Sequence, residues 1–208
     1  MTLLFVFAVV GTIALVFGLL YRSGSKTADE LLRTLDEMAA RRGLTVRVGS
    51  TAEDFAASGT TRGIALHIER HFLSGGGGND DHGRHREQAL VRGKPLHALP
   101  SSLVLPRAGV ERPAPPVMGF FEIEPDGGAF DAMFRTLAAD EGSVRASLDP
   151  RTREGLMAFG SRAGGGIRLG SLKCSAEEVV LMVESSGIPP LDAQAVDRGV
   201  DLVLALCA

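Results

Sequence analysis

The 208-residue sequence contains no tryptophan, one tyrosine and two cysteines. Two thiols cannot form a disulfide framework, so the chain is not one of the small secreted proteins stabilised by disulfides. It also has no excess of basic residues, because 22 lysines and arginines face 25 aspartates and glutamates, for a formal net charge of -3. A general nucleic-acid binder neutralises phosphates with a basic face, so we expect no nucleic-acid partner.

The rest of the composition is that of a folded protein. Hydrophobic residues make up 45% of the chain and charged residues 23%, which excludes a disordered chain. The 26 glycines follow no fixed repeat, so a collagen-like fibre is excluded as well. The length provides one domain of usual size, with enough mass to bury a core, plus an accessory segment.

The accessory segment is at the N-terminus, where residues 2–21 carry no charged side chain. Twenty helical residues span about 30 Å, the thickness of the hydrocarbon core of a bilayer. A cleaved signal peptide is the alternative, but the run lacks a basic start and a small-residue cleavage site, and no cysteine follows it for a lipoprotein. The sequence therefore predicts a transmembrane anchor, residues 1–22, with the lipid bilayer as its partner.

The charges that flank this anchor predict its orientation. Arg22 and Lys26 follow the apolar run closely, whereas only Met1 and Thr2 precede it. The positive-inside rule then places the rest of the chain in the cytoplasm, and the few thiols agree with a reducing compartment.

Residues 23–43 predict an amphipathic helix after a short flexible joint. Thr27 and Glu30 form a capping box that satisfies free amides at a helix start, and Gly43 is suited to end the helix. One apolar face recurs at helical spacing: Ala28, Leu31, Leu32, Leu35, Met38 and Ala39.

From residue 44 to 107 the apolar residues recur at every second position instead of at helical spacing. The alternating residues are Val46, Val48, Ile64, Leu66, Ile68, Ala89, Val91, Leu103 and Leu105. Turn residues separate the runs, at Ser58-Gly59, in a long loop from Ser74, and at Gly93-Lys94-Pro95. This pattern predicts an antiparallel meander with one covered face.

The C-terminal half continues with both helices and strands. Residues 110–117 are proline-rich and predict an extended connector, with a possible subdivision of the domain there. Asp149-Pro150 predicts a helix start, two strands are expected at residues 167–172 and 179–183, and residues 190–207 predict a packed final helix. We therefore expect an α+β fold over residues 44–208, in which an antiparallel sheet packs with about three helices.

Four histidines are the best candidates for metal ligands. His67 and His71 lie in the run HIERH, and His82 and His85 lie in a glycine-rich loop beside Asp80 and Asp81. However, the alternation around the first pair predicts a strand, on which residues four apart are separated by about 13 Å. The loop pair lacks a rigid support. We therefore expect no metal site, although a metal-dependent hydrolase using residues 67–85 stays open as an alternative.

No other residue pattern identifies a reaction. The glycine run at residues 75–78 is followed by two aspartates, which repel phosphate. Lys173 beside Cys174 favours the thiolate only mildly and no base is nearby in sequence, while Cys207 lies on the packed face of the last helix. We expect no catalytic residue and no cofactor.

Several phrases in the sequence resemble a known group of proteins. They are Phe130 to Thr136 (FDAMFRT), Leu148-Asp149-Pro150, residues 167–172, and Ser58 to Gly63 at a hairpin start. With the N-terminal apolar run, these phrases resemble an uncharacterised bacterial family of N-terminally membrane-anchored α+β domains of unknown function. The resemblance implies the fold and the anchor, and it implies no catalytic residue.

Three functions follow from these observations as hypotheses. The first is a single-pass, membrane-anchored binding module that is not catalytic and has an unknown protein partner. The second is the metal-dependent hydrolase. The third is a structural membrane subunit that oligomerises through Gly11 and Gly18 on one face of the anchor.

Overall fold

The computed structural model describes residues 30–48, 55–73, 86–107, 119–160, 166–185 and 191–208. The predicted anchor at residues 2–21, the histidine loop at 74–85 and the connector at 110–117 lie outside the described residues. In the part that the structure describes, every helix is too short or too polar to cross a bilayer.

The described residues form an antiparallel sheet and a set of helices, which confirms the predicted α+β class. The nine described strands are β1 (Leu44–Val48), β2 (Phe55–Thr61), β3 (Ile64–Leu73), β4 (Arg86–Gly93), β5 (Ser102–Pro106), β6 (Phe121–Ile123), β7 (Phe134–Ala138), β8 (Ile167–Cys174) and β9 (Val179–Ser185). The helices are α1 (residues 30–41), α2 (Ala129–Met133), α3 (Glu141–Ser147), α4 (Pro150–Met157) and α5 (Ala193–Cys207).

The strand order is β1-β2-β3-β4-β9-β8-β5-β7-β6, and each neighbouring pair is antiparallel. The predicted meander is correct for β1 to β4 and wrong at its last step, because β9 and β8 lie between β4 and β5. Alternation within a strand shows that one face is covered, but it carries no information on which distant strand will pair beside it.

The hairpin of β2 and β3 differs from the prediction in the position of its turn. Ser58-Gly59 was predicted as a turn but lies inside β2, and the chain reverses instead at Arg62 and Gly63, with φ of 54° and 80°. This strand position is occupied by glycine because the space beside it is crowded. A Cβ added to Gly59 would lie 3.0 Å from the carbonyl oxygen of Gly43.

Strand β5 presents the opposite face to the core from the one that was predicted. Leu103 and Leu105 are only partly buried, whereas Ser102 and Val104 are 2% and 0% exposed. Val104 pairs with Leu172 of β8, which is itself fully buried, so the neighbouring strands determine which side of β5 faces inward.

Helix α5 covers the centre of the sheet, as its apolar spacing predicted. Asp192 caps it by accepting a hydrogen bond from Ala195 N at 2.8 Å. The helix packs against β4 and β9, and its approach is close because Gly93 has no side chain. A Cβ there would lie 2.5 Å from Val203 Cγ1. Three residues predicted to be buried are fully buried: Val196, Val200 and Val203.

Helix α1 packs against the same core, and ion pairs connect its C-terminal end to α5. Leu35 and Met38 are fully buried. Arg42, just after α1, donates to Asp197 Oδ1 at 2.8 Å and to Asp201 Oδ1 at 2.6 Å. These carboxylates, Asp201 first, raise the pKa of Arg42. The helix that follows the predicted anchor is therefore part of the folded domain.

The segment that carries the family resemblance forms α2 and β7. Phe130 and Phe134 are fully buried with ring centroids 5.1 Å apart. The predicted start of α4 is confirmed, because Asp149 Oδ1 accepts a hydrogen bond from Thr152 N at 2.7 Å. This bond also lowers the pKa of Asp149.

Candidate functional site

The face of the sheet opposite α5 is the main candidate for a functional surface. Along β3, β4 and β9, fully buried residues alternate with residues that stay partly exposed. We call the second set the open face. On the central strands it consists of His67, Glu69, His71, Gln88, Leu90, Arg92, Val180, Met182, Glu184, Arg168, Ser171, Lys173, Leu103 and Leu105, which the cross-strand register aligns in rows.

A charged cluster occupies one side of the open face, with Glu69 at its centre. His67 Nε2 lies 3.0 Å from Glu69 Oε1, and His71 Nε2 lies 3.8 Å from Oε2. Arg92 lies 3.8 Å from the same carboxylate and 3.5 Å from Glu178, which belongs to the turn between β8 and β9. The hydrogen bond from His67, more than the charges of the neighbours, lowers the pKa of Glu69.

The structure places His67 and His71 on β3, as the alternation predicted. Their rings lie near different oxygens of the Glu69 carboxylate. No three histidine, cysteine or acidic side chains in the described residues are arranged to hold a metal ion. The other candidates, Asp80, Asp81, His82 and His85, lie outside the described residues.

The lowered pKa of Glu69 leads to a testable prediction. Replacing His67 with alanine should raise the pKa of the Glu69 carboxyl, and replacing Arg92 with methionine should raise it less, since the hydrogen bond is the larger cause. The pKa can be followed by the ¹³C shift of the Glu69 carboxyl against pH. Equal shifts in the two variants would contradict the assigned order of causes.

The sign of the pH effect follows from the same shift. Because the pKa of Glu69 is lower in the folded protein, ionised Glu69 adds stability above its unfolded pKa, and this stability is lost as the pH falls through the folded pKa. The side chains of Glu69 and His67 are 30% and 42% exposed, so water screens the pair and its contribution stays below about 1 kcal/mol.

An apolar strip lies in the middle of the open face. Leu90 pairs with Met182 across β4 and β9, and Val180 lies beside Met182 on the same face of β9. On β8 the register places Ser171 and Lys173 between these residues and Leu103 of β5, so the strip ends at β9. A bulge at Gly170 of β8 makes room for it, because an added Cβ there would lie 2.7 Å from Met182 Cε. Methionine adapts its shape to different partners, so this strip is suited to binding.

The charges beside the strip are largely paired within the face. Glu184 accepts from Arg168 at 2.9 Å and from Gln88 at 2.9 Å. On the far strands, Glu122 lies 2.8 Å from Arg107 and 3.0 Å from Arg135. An open face of this kind offers a partner a small apolar centre with a polar rim whose charges are mostly paired, as protein interfaces do.

Both cysteines are poor nucleophiles in the structure. Cys174 and Cys207 are free thiols, each 1% exposed. Burial raises the pKa of both thiols to about 11. The mild activation of Cys174 by Lys173 that the sequence suggested is therefore wrong, because desolvation of the thiolate outweighs a neighbouring charge.

The apolar strip and a buried ion pair between Arg70 and Glu87 were not predicted from the sequence. A signal for both was present in the alternation. Leu90 and Met182 are apolar residues at positions of the exposed parity, and Arg70 and Glu87 are charged residues of the buried parity.

No protein-family model matches the chain, and no curated protein is significantly similar to it. Among solved structures, the chain is similar to the crystal structure of the mycobacterial trehalose monomycolate transport factor A, TtfA. The match has a TM-score of 0.51 and 12% sequence identity, and it covers 84% of this chain and 91% of that chain. At this identity the similarity shows a shared fold.

Proposed function

We propose that the protein is a single-pass, membrane-anchored binding module that is not catalytic. Residues 2–21 span the bilayer, the folded domain lies in the cytoplasm, and the open face binds a protein partner. The observation that carries the proposal is the apolar strip of Leu90, Val180 and Met182, which lies at the centre of the sheet without a covering helix in the described residues. Such patches mark interaction sites more often than they mark catalytic sites.

The connection between the anchor and the domain supports this reading. The described part of α1 starts at residue 30, eight residues along the chain from the end of the predicted anchor at residue 22, and Arg42 connects its end to α5. The open face is on the other side of the sheet from α5. The domain is thereby held close to the bilayer while one whole face stays free for a partner.

The shared fold favours a particular setting for this binding. The neighbour TtfA is named a trehalose monomycolate transport factor. From this name we extend only the setting to the present chain, and propose that it is an accessory factor in transport that acts by binding other proteins at the membrane.

A cross-linking experiment tests the proposal. The full chain, cross-linked in membranes and captured, should recover a partner that is lost from the Met182→Glu variant, because a carboxylate in the strip must be desolvated on binding. Gln194→Glu, which adds the same charge on an exposed position of α5, should retain the partner. A chain lacking residues 1–22 should stay in the soluble fraction. Equal capture by both glutamate variants would contradict the open face as the binding surface.

The metal-dependent hydrolase remains the alternative hypothesis, and it depends on residues 80–85. Stoichiometric zinc binding by the full chain, lost when His82 and His85 are both replaced by alanine, would favour this alternative. Among the described residues, His67 is hydrogen-bonded to Glu69 at 3.0 Å and His71 lies 3.8 Å from the same carboxylate, and no set of three ligands is arranged to hold a metal ion.

A further inference from the structure

A cavity lies on the open face at the end of the charged cluster, away from the apolar strip. It has a volume of about 410 Å³ and lies between the end of β4 and the turn that joins β8 and β9. Its titratable lining residues are His67, Arg92, Lys94, Glu177 and Glu178. Small-molecule sites are typically concave and about 300–1,000 Å³ in volume, so the cavity has the size of a ligand site.

The strand register places three of these side chains on one face. His67 and Arg92 are direct cross-strand neighbours on β3 and β4. Lys94 follows two residues after Arg92, and its backbone N–H donates to the Ala65 carbonyl at 3.0 Å, so the pairing of the two strands continues to Lys94. Residues two apart on a strand point to the same face of a sheet. The guanidinium, the ammonium group and the imidazole therefore all lie on the open face, on one side of the cavity.

Two carboxylates form the other side of the cavity. Glu178 directly precedes Val179, which pairs with Gly93 of β4, and its Oε2 lies 3.5 Å from Arg92 Nη1. Glu177 is next to it in the turn and is exposed. With His67 neutral, the lining has two positive and two negative side chains. The charges are balanced in number but separated in space, with the cations on the strands and the anions on the turn.

These charges are only loosely paired with each other. The two carboxylates closest to Arg92 are Glu178 at 3.5 Å and Glu69 at 3.8 Å. Both distances are longer than an N–H···O hydrogen bond of about 2.7–3.2 Å. Lys94 and Glu177 form no ion pair with any residue that the structure describes. A ligand with both an anionic and a cationic group can replace these long contacts with hydrogen bonds of normal length.

We propose that this cavity binds a phosphoethanolamine group, either in a soluble ester or as the headgroup of a lipid. The phosphate oxygens accept hydrogen bonds from Arg92 and Lys94, with His67 beside them. The ammonium group donates to Glu178 and Glu177. A phosphate has more acceptor oxygens than a carboxylate, so it suits a side of the cavity with several donors.

The dimensions and charge of this group match the site. Its two-carbon spacer separates nitrogen from phosphorus by about 4–5 Å, so the ligand can lie antiparallel to the Arg92–Glu178 pair, each charge beside its opposite. A phosphodiester of ethanolamine has no net charge, as the lining has none. An anion without the ammonium group is repelled by the two glutamates.

An NMR titration of the full chain in maltoside detergent with sn-glycero-3-phosphoethanolamine tests the proposal. The Gly93 amide reports on binding, because this residue lines the cavity and is changed in none of the variants. We expect a saturable shift with a dissociation constant of about 1 mM or below. The N-acetylated ester, which keeps the phosphodiester and loses the ammonium charge, should bind at least about fivefold more weakly.

Two variants test the two sides of the cavity separately. Lys94→Met and Glu178→Gln should each weaken binding of the ester by about threefold or more. Glu178→Gln should also reduce the difference between the ester and its N-acetylated form, since the ammonium group then has one carboxylate fewer to bind.

Matched controls make the same changes of charge outside the cavity. Arg62→Met removes a cation in the turn between β2 and β3, at the same end of the sheet, and Glu154→Gln removes an exposed carboxylate of α4. Both should bind the ester within about 1.5-fold of the parent. No saturable shift of Gly93, equal binding of the two esters by the parent, or equal weakening by Lys94→Met and Arg62→Met would overturn the proposal.

A comparison of lipids identifies the source of the group. With the full chain in nanodiscs and no ester added, a shift of the Gly93 amide between phosphatidylethanolamine and phosphatidylcholine would assign the lipid headgroup. Binding of the ester without this shift would assign the soluble form. Neither measurement needs a protein partner, so failure of this proposal is separate from failure of the proposed function.

Discussion

Replacing Glu87 with glutamine is expected to lower the free energy of unfolding by about 3–5 kcal/mol, because it leaves the Arg70 guanidinium buried without its counter-ion. The two side chains are each 5% exposed and meet at 2.9 Å. Glu87 Oε2 also accepts a hydrogen bond from Leu191 N at 2.8 Å, just before α5. The carboxylate therefore joins two strands to the start of the helix that covers them.

A double variant separates the ion pair from the helix contact. Arg70→Met with Glu87→Gln removes both charges, and the glutamine oxygen can still accept from Leu191 N. We expect the double variant to be more stable than Glu87→Gln alone. The matched control is Arg168→Met with Glu184→Gln, since this pair also meets at 2.9 Å but has side chains that are 27% and 17% exposed. Removal of the control pair should cost about 1 kcal/mol or less.

Circular dichroism is the appropriate signal for these unfolding curves, because the chain has no tryptophan and its one tyrosine lies in the predicted anchor. If Glu87→Gln unfolds together with the parent, the buried pair contributes nothing to stability. In that case the hydrogen bond from Leu191 N would be the only part of this arrangement that stabilises the fold.

Replacing Val200 with aspartate is the second change with a large expected effect. Val200 is fully buried on the side of α5 that packs against the sheet. An aspartate there must either bury an unpaired carboxylate or displace the helix, and we expect a loss of roughly 3–5 kcal/mol. Most small domains have only about 5–15 kcal/mol in total, so this loss removes a large share of the stability and should clearly lower the melting temperature.

Gln194→Asp is the control for this variant, because it places the same residue on an exposed position of the same helix. Its stability should stay within about 0.5 kcal/mol of the parent. Val200→Asp melting at the temperature of Gln194→Asp would show that α5 is not part of the core.

The features that the sequence predicted correctly depend on residues close together along the chain. Asp149 and Pro150 start α4 through a bond to a residue three positions on, and the alternation of Ile64, Leu66 and Ile68 defines β3 by itself. The spacing of Val196, Val200 and Val203 predicts the buried side of α5 in the same way. Helices of two turns or fewer, such as α2 and α3, have too few residues to show a period.

The open face belongs to the part that local patterns cannot specify. Leu103 and Leu105 have the alternation of buried residues, yet the pairing of β5 with β8 and β7 buries Ser102 and Val104 instead. The sequence likewise shows Ser102 and Cys174 as unrelated residues 72 positions apart, until β5 and β8 pair.

The sequence by itself therefore determined the α+β class, the antiparallel strands, the caps and the packed last helix, because each depends on hydrogen bonds and spacing within one turn or one strand. The anchor at residues 2–21 is its strongest prediction outside the described part of the chain. Only the tertiary structure decided that β9 and β8 separate β4 from β5, that Arg70 meets Glu87, and that no helix among the described residues covers the open face. These features depend on which distant segments pair, and that choice is made by packing of the whole core.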